Sequence, residues 1–245
     1  MKLIQYWDTG DPPDDVAGWV DGFRVMNPEM EHRLYSRDDA AWFIKKRLGQ
    51  RHLKAFEACA VPAMQADYFR LCAVWLRGGL YLDADFRCVA PVSGLLASFS
   101  GDMMPLWHRS LINNVILCPT PRNPFLGAAL ELSTRNIVGR LFRDLLPMQS
   151  VTAIAGPDVY NAIWSAALPD DERREWERPD VKAVLAPELV TAQVRDALER
   201  VAMPPVGSLR KWLGWVYPSY QETERHWLRW AGPIYNDQQV PVEVR

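Results

Sequence analysis

The sequence predicts an α/β fold with a mostly parallel central sheet flanked by helices. Short apolar runs that suit buried strands alternate with segments whose apolar residues recur at helical spacing. Glycine and proline mark many of the boundaries, as at Gly78-Gly79 and Pro62. With 49% hydrophobic residues in 245, the chain can bury the core of one such domain. No low-complexity linker divides it, so we expect a single domain over residues 1–245.

In the first half of the chain, several element boundaries carry a local signal. Asp14-Asp15 precede an apolar helical stripe and favour a helix N-terminus. Ser36 with Asp39 resembles a capping box, and Gly49 ends the helix that this box would begin. The predicted strands cover residues 3–7, 30–35 and 80–82, and the predicted helices cover residues 16–23, 36–48, 53–59 and 62–77.

The second half continues the alternation with weaker signals. A proline-led apolar segment from residue 124 to 142 predicts a packing helix. Asn113-Asn114 stand between two short apolar runs, where amides are common turn residues. The predicted strands cover residues 103–107, 115–117 and, at an edge or in an accessory sheet, 181–185, and a further helix covers residues 159–168.

An acidic pair follows the predicted strand at residues 80–82. Ligands bind at the carboxyl ends of strands in α/β sheets, and Asp83 and Asp85 stand there. Strand alternation would direct both carboxylates to one side, about 6–7 Å apart along the backbone. Hard oxygen ligands of this kind suit Mg²⁺ or Mn²⁺, with water and phosphate at the remaining positions. Because any exposed loop can carry such a pair by chance, the flanking residues decide its meaning.

Those flanking residues form a dense pattern. Ala66-Asp67-Tyr68-Phe69-Arg70 lies on a predicted helix, and Gly78-Gly79-Leu80-Tyr81-Leu82-Asp83-Ala84-Asp85 follows it. The stretch resembles the DXD-containing glycosyltransferases related to the fungal initiating mannosyltransferases and the large clostridial glucosylating toxins. Their signature is S/A-D-x-x-R followed by G-G-x-Y-x-D-x-D. The resemblance implies a GT-A type nucleotide-sugar-binding domain.

The resemblance also implies roles for the motif residues. Asp85 would bind Mn²⁺ or Mg²⁺ directly, and Asp83 would reach the cation through water or hold the ribose. Asp67 and Arg70 would hold the sugar hydroxyls, with Arg70 offsetting phosphate charge, and Tyr81 would belong to the donor site. From spacing alone, a surface salt bridge between Asp67 and Arg70 at i, i+3 is the structural alternative.

Three further positions complete the donor site that the resemblance implies. Trp7 would stack on the nucleotide base, and Asn114 would lie near the donor sugar. Gly156-Pro157 would bring the backbone close to the diphosphate or the sugar. The structural alternatives are a core tryptophan, a turn amide and a helix start.

The C-terminal segment, residues 207–245, is rich in tryptophan. His226 and Trp230 resemble an element that closes over the donor site in relatives, and we expect the segment to be helical. A packed histidine is the alternative for His226. Tryptophan with Lys and Arg near residues 209–215 would also suit peripheral contact with anionic lipid.

Composition and charge exclude several classes of protein. A net charge of −2 without a Lys/Arg run argues against nucleic-acid binding. Four cysteines without C-x-x-C spacing indicate buried free thiols in a reducing compartment. No signal-type start and no run of about 18–20 apolar residues is present. We therefore expect a cytoplasmic, bacterial-type enzyme, acting in the cytoplasm or at the inner face of the membrane.

The sequence thus predicts a metal-dependent glycosyltransferase. It would move a hexose from a UDP- or GDP-linked donor to a saccharide or lipid-linked acceptor. Relatives retain anomeric configuration, and without an evident enzymic nucleophile this implies front-face attack by the acceptor hydroxyl. One alternative is a hydrolase of nucleotide sugars or glycosides, although adjacent carboxylates suit one cation better than two faces of a sugar. A non-enzymatic carbohydrate- or membrane-binding module is the other, and it leaves Asp67 and Arg70 unexplained.

Overall fold

A central sheet organises the computed structural model, which describes residues 1–97, 104–108, 111–141, 147–168, 186–201, 211–215, 218–223, 226 and 229–236. The sheet order is β2-β1-β3-β6-β5 in this part of the chain. Its strands are β1 (Lys2–Tyr6), β2 (Glu31–Tyr35), β3 (Gly79–Tyr81), β5 (Met104–His108) and β6 (Leu111–Cys118). β1 pairs in parallel with β2 and β3, while β6 runs antiparallel to β3 and β5. Four of these five strands therefore point the same way, and the predicted mostly parallel α/β sheet is confirmed.

Nine α-helices are described around this sheet. They are α1 (Asp14–Met26), α2 (Arg37–Leu48), α3 (Gln50–Ala58), α4 (Pro62–Arg77), α5 (Ser93–Ala97), α6 (Pro124–Val138), α7 (Pro147–Ile154), α8 (Pro157–Ala167) and α9 (Ala192–Glu199). None of them is both long and apolar enough to cross a membrane. The capping box predicted at Ser36 forms, because its side chain accepts from Asp39 N and the Asp39 carboxylate accepts from Ser36 N. The helix predicted to reach residue 142 ends at Val138 instead.

The sheet separates two hydrophobic cores. Side chains alternate along a strand, so Ile4 and Tyr81 face one core while Leu3 and Leu80 face the other. The first core packs against α2, α3, α4, α6 and α8, and the second packs against Phe23 of α1 and the residues around α5. All four cysteines are buried free thiols, as predicted.

Helix α4 passes through the first core and ends where the sequence predicts. Gly78 and Gly79 follow it with φ values of 61° and 116°. A Cβ at Gly78 would lie 2.5 Å from Pro119 O, and one at Gly79 would lie 2.6 Å from Lys2 O. Both positions therefore require glycine, for conformation and for space. This glycine turn connects α4 directly to β3.

A second, two-stranded sheet escapes prediction from the sequence. β4 (Phe86–Cys88) pairs antiparallel with β7 (Leu213–Trp215). The pairing fastens the start of the C-terminal segment to the strand that follows the acidic motif. Beyond β7, the described part of this segment contains a 3₁₀ helix, Ser219–Glu222, and otherwise irregular structure.

Asn113-Asn114 lie inside β6 and not in a turn between strands, because the pairing of β5 with β6 extends through this region. The strand predicted at residues 181–185 lies outside the described residues. The single-domain organisation of residues 1–245 stays a prediction.

Two partly buried hydrogen bonds, which link His32 to Gln5 and Gln5 to Asp83, make the free energy of unfolding depend on pH. His32 Nε2 donates to Gln5 Oε1 at 2.8 Å, and Gln5 Nε2 donates to the Asp83 carbonyl at 3.5 Å. Burial, aided by the charge of Arg24, lowers the pKa of His32 from 6.5 to about 4. The unfolded chain therefore binds a proton more readily than the folded one between these values. This part of the stability is present above pH 6.5 and is lost as the pH falls towards 4.

We expect His32→Gln to flatten the pH dependence of unfolding. The wild type should lose about 1–2 kcal/mol more than the variant as the pH falls through this window, a figure reduced because the ring is partly exposed. Urea unfolding at several pH values measures the difference. Parallel pH curves for the two proteins would contradict the assignment.

Candidate active site

A cavity of about 830 Å³ opens at the carboxyl ends of β1 and β3. Its walls come from the loop after β1, the first half of α4, the turn after β3, the α7–α8 junction and the C-terminal segment. The lining includes Trp7, Asp67, Arg70, Asp83, Asp85 and Tyr220. The cavity therefore lies where ligands bind in α/β sheets.

Asp83-Ala84-Asp85 forms a turn and not the end of a strand. β3 ends at Tyr81, and the turn is closed by Phe86 N donating to Asp83 O at 3.2 Å. Strand alternation is therefore the wrong reason for expecting both carboxylates on one side. They line the same cavity, and Ala84 between them belongs to its lining as well.

Arg70 joins α4 to this turn through two ion pairs. Its Nη1 lies 2.9 Å from Asp67 Oδ1, and its Nη2 lies 2.7 Å from Asp83 Oδ1. The Arg70 side chain is 1% exposed and that of Asp67 is 7% exposed, whereas that of Asp83 is 34% exposed. The guanidinium carbon lies 4.5 Å from the centre of the Tyr81 ring. The surface salt bridge considered from the sequence is therefore wrong, since the pair belongs to the interior.

The cluster places acidic groups close together away from water. Burial raises the pKa of Asp67 to about 7, with Asp83 adding to the effect and Arg70 opposing it. Burial and the neighbouring Asp83 also raise the pKa of Asp85. For Arg70, burial disfavours the charge, but Asp83 and Asp67 outweigh it and raise the pKa. The guanidinium is thus permanently charged and pairs with both carboxylates at once.

Tyr220 is a site residue that the sequence analysis missed. Its hydroxyl donates to Asp85 Oδ2 at 2.9 Å. Its ring meets Trp7 at right angles, with the centroids 4.9 Å apart. No motif marks a tyrosine in a polar turn, and only its position in the predicted closing segment pointed to this region.

The other predicted residues differ in their relation to the cavity. Pro157 lines it at the start of α8. Gly156 packs under Asp67, because an added Cβ would lie 3.1 Å from Asp67 Oδ2 and 2.8 Å from Thr152 Cα. The Asn114 side chain lies outside the described part of the structure.

His226 and Trp230 do not line the cavity. His226 is buried, with its ring centroid 5.5 Å from that of Tyr220, and burial lowers its pKa. Trp230 packs against the first core, and its Nε1 donates to Pro233 O at 3.2 Å. His226 therefore contacts Tyr220 of the cavity wall without lining the cavity itself.

The carboxylates can accept a cation that arrives with a phosphate ligand. Among the described residues, no group of three or more His, Cys, Asp or Glu side chains is arranged to hold a metal alone. Asp83 and Asp85 supply two carboxylates, and Mg²⁺ sites commonly use one or two carboxylates together with substrate phosphates. The described cavity lining includes five aspartates and one arginine, Arg70, which is already ion-paired. This donor set fits a divalent cation.

Comparison with known proteins identifies this region. Residues 6–110 match a family described as a glycosyltransferase sugar-binding region containing the DXD motif. The match includes the motif from Asp67 to Asp85, so the resemblance recognised in the sequence is confirmed.

Two fission-yeast proteins (Schizosaccharomyces pombe, strain 972 / ATCC 24843) are among the similar sequences. Inositol phosphoceramide mannosyltransferase 3 is 28% identical over 178 residues, which cover 70% of this chain and 47% of that protein. Inositol phosphoceramide mannosyltransferase 2 is 24% identical over 168 residues, covering 66% and 46%. This chain thus spans about half the length of the curated relatives it matches. A solved structure, the PaToxG glycosyltransferase, superposes with a TM-score of 0.49 at 15% identity, covering 96% of this chain and 88% of that one.

Proposed function

We propose that the protein transfers a hexose from a nucleotide-diphosphate sugar to a saccharide or lipid-linked acceptor, with the help of a divalent cation. The charge of the cavity carries the proposal. Five of its described lining residues are aspartates and the only described arginine among them is ion-paired. A diphosphate would be repelled by such a surface unless a cation bound with it. The family match at the same residues supports a sugar nucleotide as the ligand.

Asp85 is the direct cation ligand in this proposal. Asp83 is partly committed to Arg70 at 2.7 Å, so it acts through water or holds the ribose. When bound, Mn²⁺ or Mg²⁺ would stabilise the charge that develops on the departing nucleoside diphosphate. The protein itself contributes mainly by holding the donor in place and by excluding water.

Asp67 and Arg70 hold the sugar hydroxyls. Their mutual contact and burial fix the two side chains before any ligand binds, so little ordering is needed on binding. Trp7 stands beside the cavity with its ring held by Tyr220, which supports a stacking role against the base. Gly156-Pro157 brings the start of α8 against this wall.

Front-face attack with retention of configuration is the mechanism that we propose. A double displacement needs a carboxylate free to bond the anomeric carbon. Of the aspartates in the motif, Asp67 is ion-paired with Arg70 in the interior, and Asp83 and Asp85 are assigned to the cation and the ribose. Following the retention of configuration that the resemblance implies, the acceptor hydroxyl attacks the anomeric carbon directly as its bond to the phosphate breaks, and the departing phosphate takes the proton.

The names of the relatives suggest which substrates to test first. Both are named as mannosyltransferases that act on inositol phosphoceramide. We therefore propose mannose as the first donor sugar and an inositol-containing lipid headgroup as the first acceptor, beside the other UDP- and GDP-hexoses and saccharide acceptors.

Cation-dependent nucleotide binding tests the proposal. We expect UDP or GDP to bind at least about tenfold more weakly after Mn²⁺ is removed with EDTA, because the aspartates then repel the diphosphate. Isothermal titration measures the affinity, and a screen of nucleotide sugars for slow Mn²⁺-dependent hydrolysis identifies the donor. Equal affinity with and without cation, or cleavage of glycosides without nucleotide, would contradict the proposal.

A further inference from the structure

Tyr220 stands at the junction of the cation site and the C-terminal segment. Its hydroxyl donates to Asp85 Oδ2 at 2.9 Å, and this leaves Asp85 Oδ1 as the other oxygen of the proposed ligand. The ring contact with Trp7 limits how far the tyrosine can turn. Tyr220 therefore touches both a proposed cation ligand and a proposed base-stacking residue.

The residue before Tyr220 is fastened to α1. Ser219 N donates to Asp15 Oδ2 at 2.8 Å, and Ser219 Oγ donates to Asp15 Oδ1 at 3.0 Å. A carboxylate that accepts two hydrogen bonds from adjacent groups fixes both position and direction. Asp15 thus ties the first residue of the 3₁₀ helix Ser219–Glu222 to α1.

The same region is fastened from the other side by the small sheet. β4 begins at Phe86, immediately after Asp85, and Phe86 is the register partner of Trp215. The backbone after Asp85 and the backbone leading to Tyr220 are therefore hydrogen-bonded to each other. Contacts on both sides hold the tyrosine hydroxyl against one carboxylate oxygen.

A metal-binding carboxylate needs such a partner. The terminal torsion of an aspartate is broad, so a carboxylate without a partner samples many orientations. A hydrogen bond to one oxygen selects an orientation and leaves the second oxygen for the cation, which is the usual arrangement around protein metal sites.

We propose that Tyr220 is a positioning residue that orients Asp85 for the divalent cation, and that the Asp15–Ser219 contact holds Tyr220 in place. The inference rests on the proposed function, since it requires Asp85 to be a cation ligand. It adds a residue from outside the acidic motif and makes the cation site dependent on docking of residues 218–223.

Tyr220→Phe is the direct test, because it removes the hydroxyl and keeps the ring that packs on Trp7. We expect Mn²⁺ to bind about 10–100-fold more weakly in the presence of saturating UDP or GDP, whichever nucleotide the wild type binds. The Mn²⁺ EPR spectrum should change as well, since it reports the ligand arrangement without any turnover. Asp15→Ala should weaken Mn²⁺ binding in the same direction.

Tyr35→Phe is the matched control. It removes a buried tyrosine's hydroxyl that accepts from Arg77 at 3.0 Å and lies outside the described cavity lining. It should leave the Mn²⁺ affinity unchanged. Unchanged affinity in a folded Tyr220→Phe protein would overturn the inference, and tighter binding would do so too, because it would show that the hydroxyl blocks the cation. A wild type that binds nucleotide without any Mn²⁺ effect would instead overturn the proposed function itself.

Discussion

An Asp85→Asn protein is expected to fold normally and to lose transfer activity by a factor on the order of 10³. The substitution keeps the size of the side chain and an oxygen that can accept from Tyr220, which donates to it at 2.9 Å. It removes the negative charge that the divalent cation requires. Nucleotide affinity should then be the same with and without Mn²⁺.

The comparison protein is Asp196→Asn. Asp196 is exposed on α9 and does not belong to the described cavity lining. Both variants lose one carboxylate, so any effect of net charge is matched. Activity assays with the donor identified by screening, together with circular dichroism, separate catalysis from folding. Near-normal turnover in a folded Asp85→Asn protein would remove Asp85 from the cation site.

Helix α4 shows why parts of this fold could be predicted from the sequence. Its first residue is Pro62, its last is Arg77, and Gly78-Gly79 follow. Each signal acts on the backbone at its own position, through the fixed φ of proline or the open φ of glycine. The ends of this helix could therefore be predicted without knowing which residues pack around it.

The small sheet of β4 and β7 shows what could not be predicted. Each strand is three residues long, too short for an alternating pattern, and the two lie far apart in the chain. Asn113-Asn114 were misread for a related reason, because pairing with β5 overrides the turn preference of asparagine. Contacts between distant residues decide both cases. Tyr220 depends on the same sheet, so it was missed as well.

The sequence predicts the contact between Asp67 and Arg70 but does not show whether the pair is buried. Their i, i+3 spacing predicts the contact, but an exposed pair has the same spacing. The neighbouring residues are a better signal of burial. Tyr68 and Phe69 lie between the two, Leu71 and Cys72 follow Arg70, and all four are buried. A helix that is apolar on all sides indicates an interior position. An ion pair on such a helix should therefore be expected inside the protein.

That burial makes Arg70 the most sensitive position for stability. Arg70→Met keeps an unbranched apolar stem but leaves two carboxylates without their guanidinium partner, and the Asp67 side chain is only 7% exposed. Removing one partner of a buried ion pair typically costs about 3–5 kcal/mol in the free energy of unfolding, because the remaining carboxylate must either keep its charge out of water or take up a proton. We expect a loss in this range by urea unfolding at neutral pH, without any ligand present.

Arg24→Met is the control, because it removes one partner of an exposed ion pair. Arg24 pairs with Asp21 at 2.6 Å, but the two side chains are 61% and 64% exposed, so its removal should cost less than about 1 kcal/mol. Arg70→Lys should fall between the two, since one ammonium cannot reproduce both guanidinium contacts. If Arg70→Met does not fold, Arg70→Met with Asp67→Asn should recover part of the loss, because the second change removes the more buried unpaired charge. A loss for Arg70→Met no larger than that for Arg24→Met would mean that water reaches Asp67. Asp67 and Arg70 would then lack the preorganised geometry on which the sugar site depends.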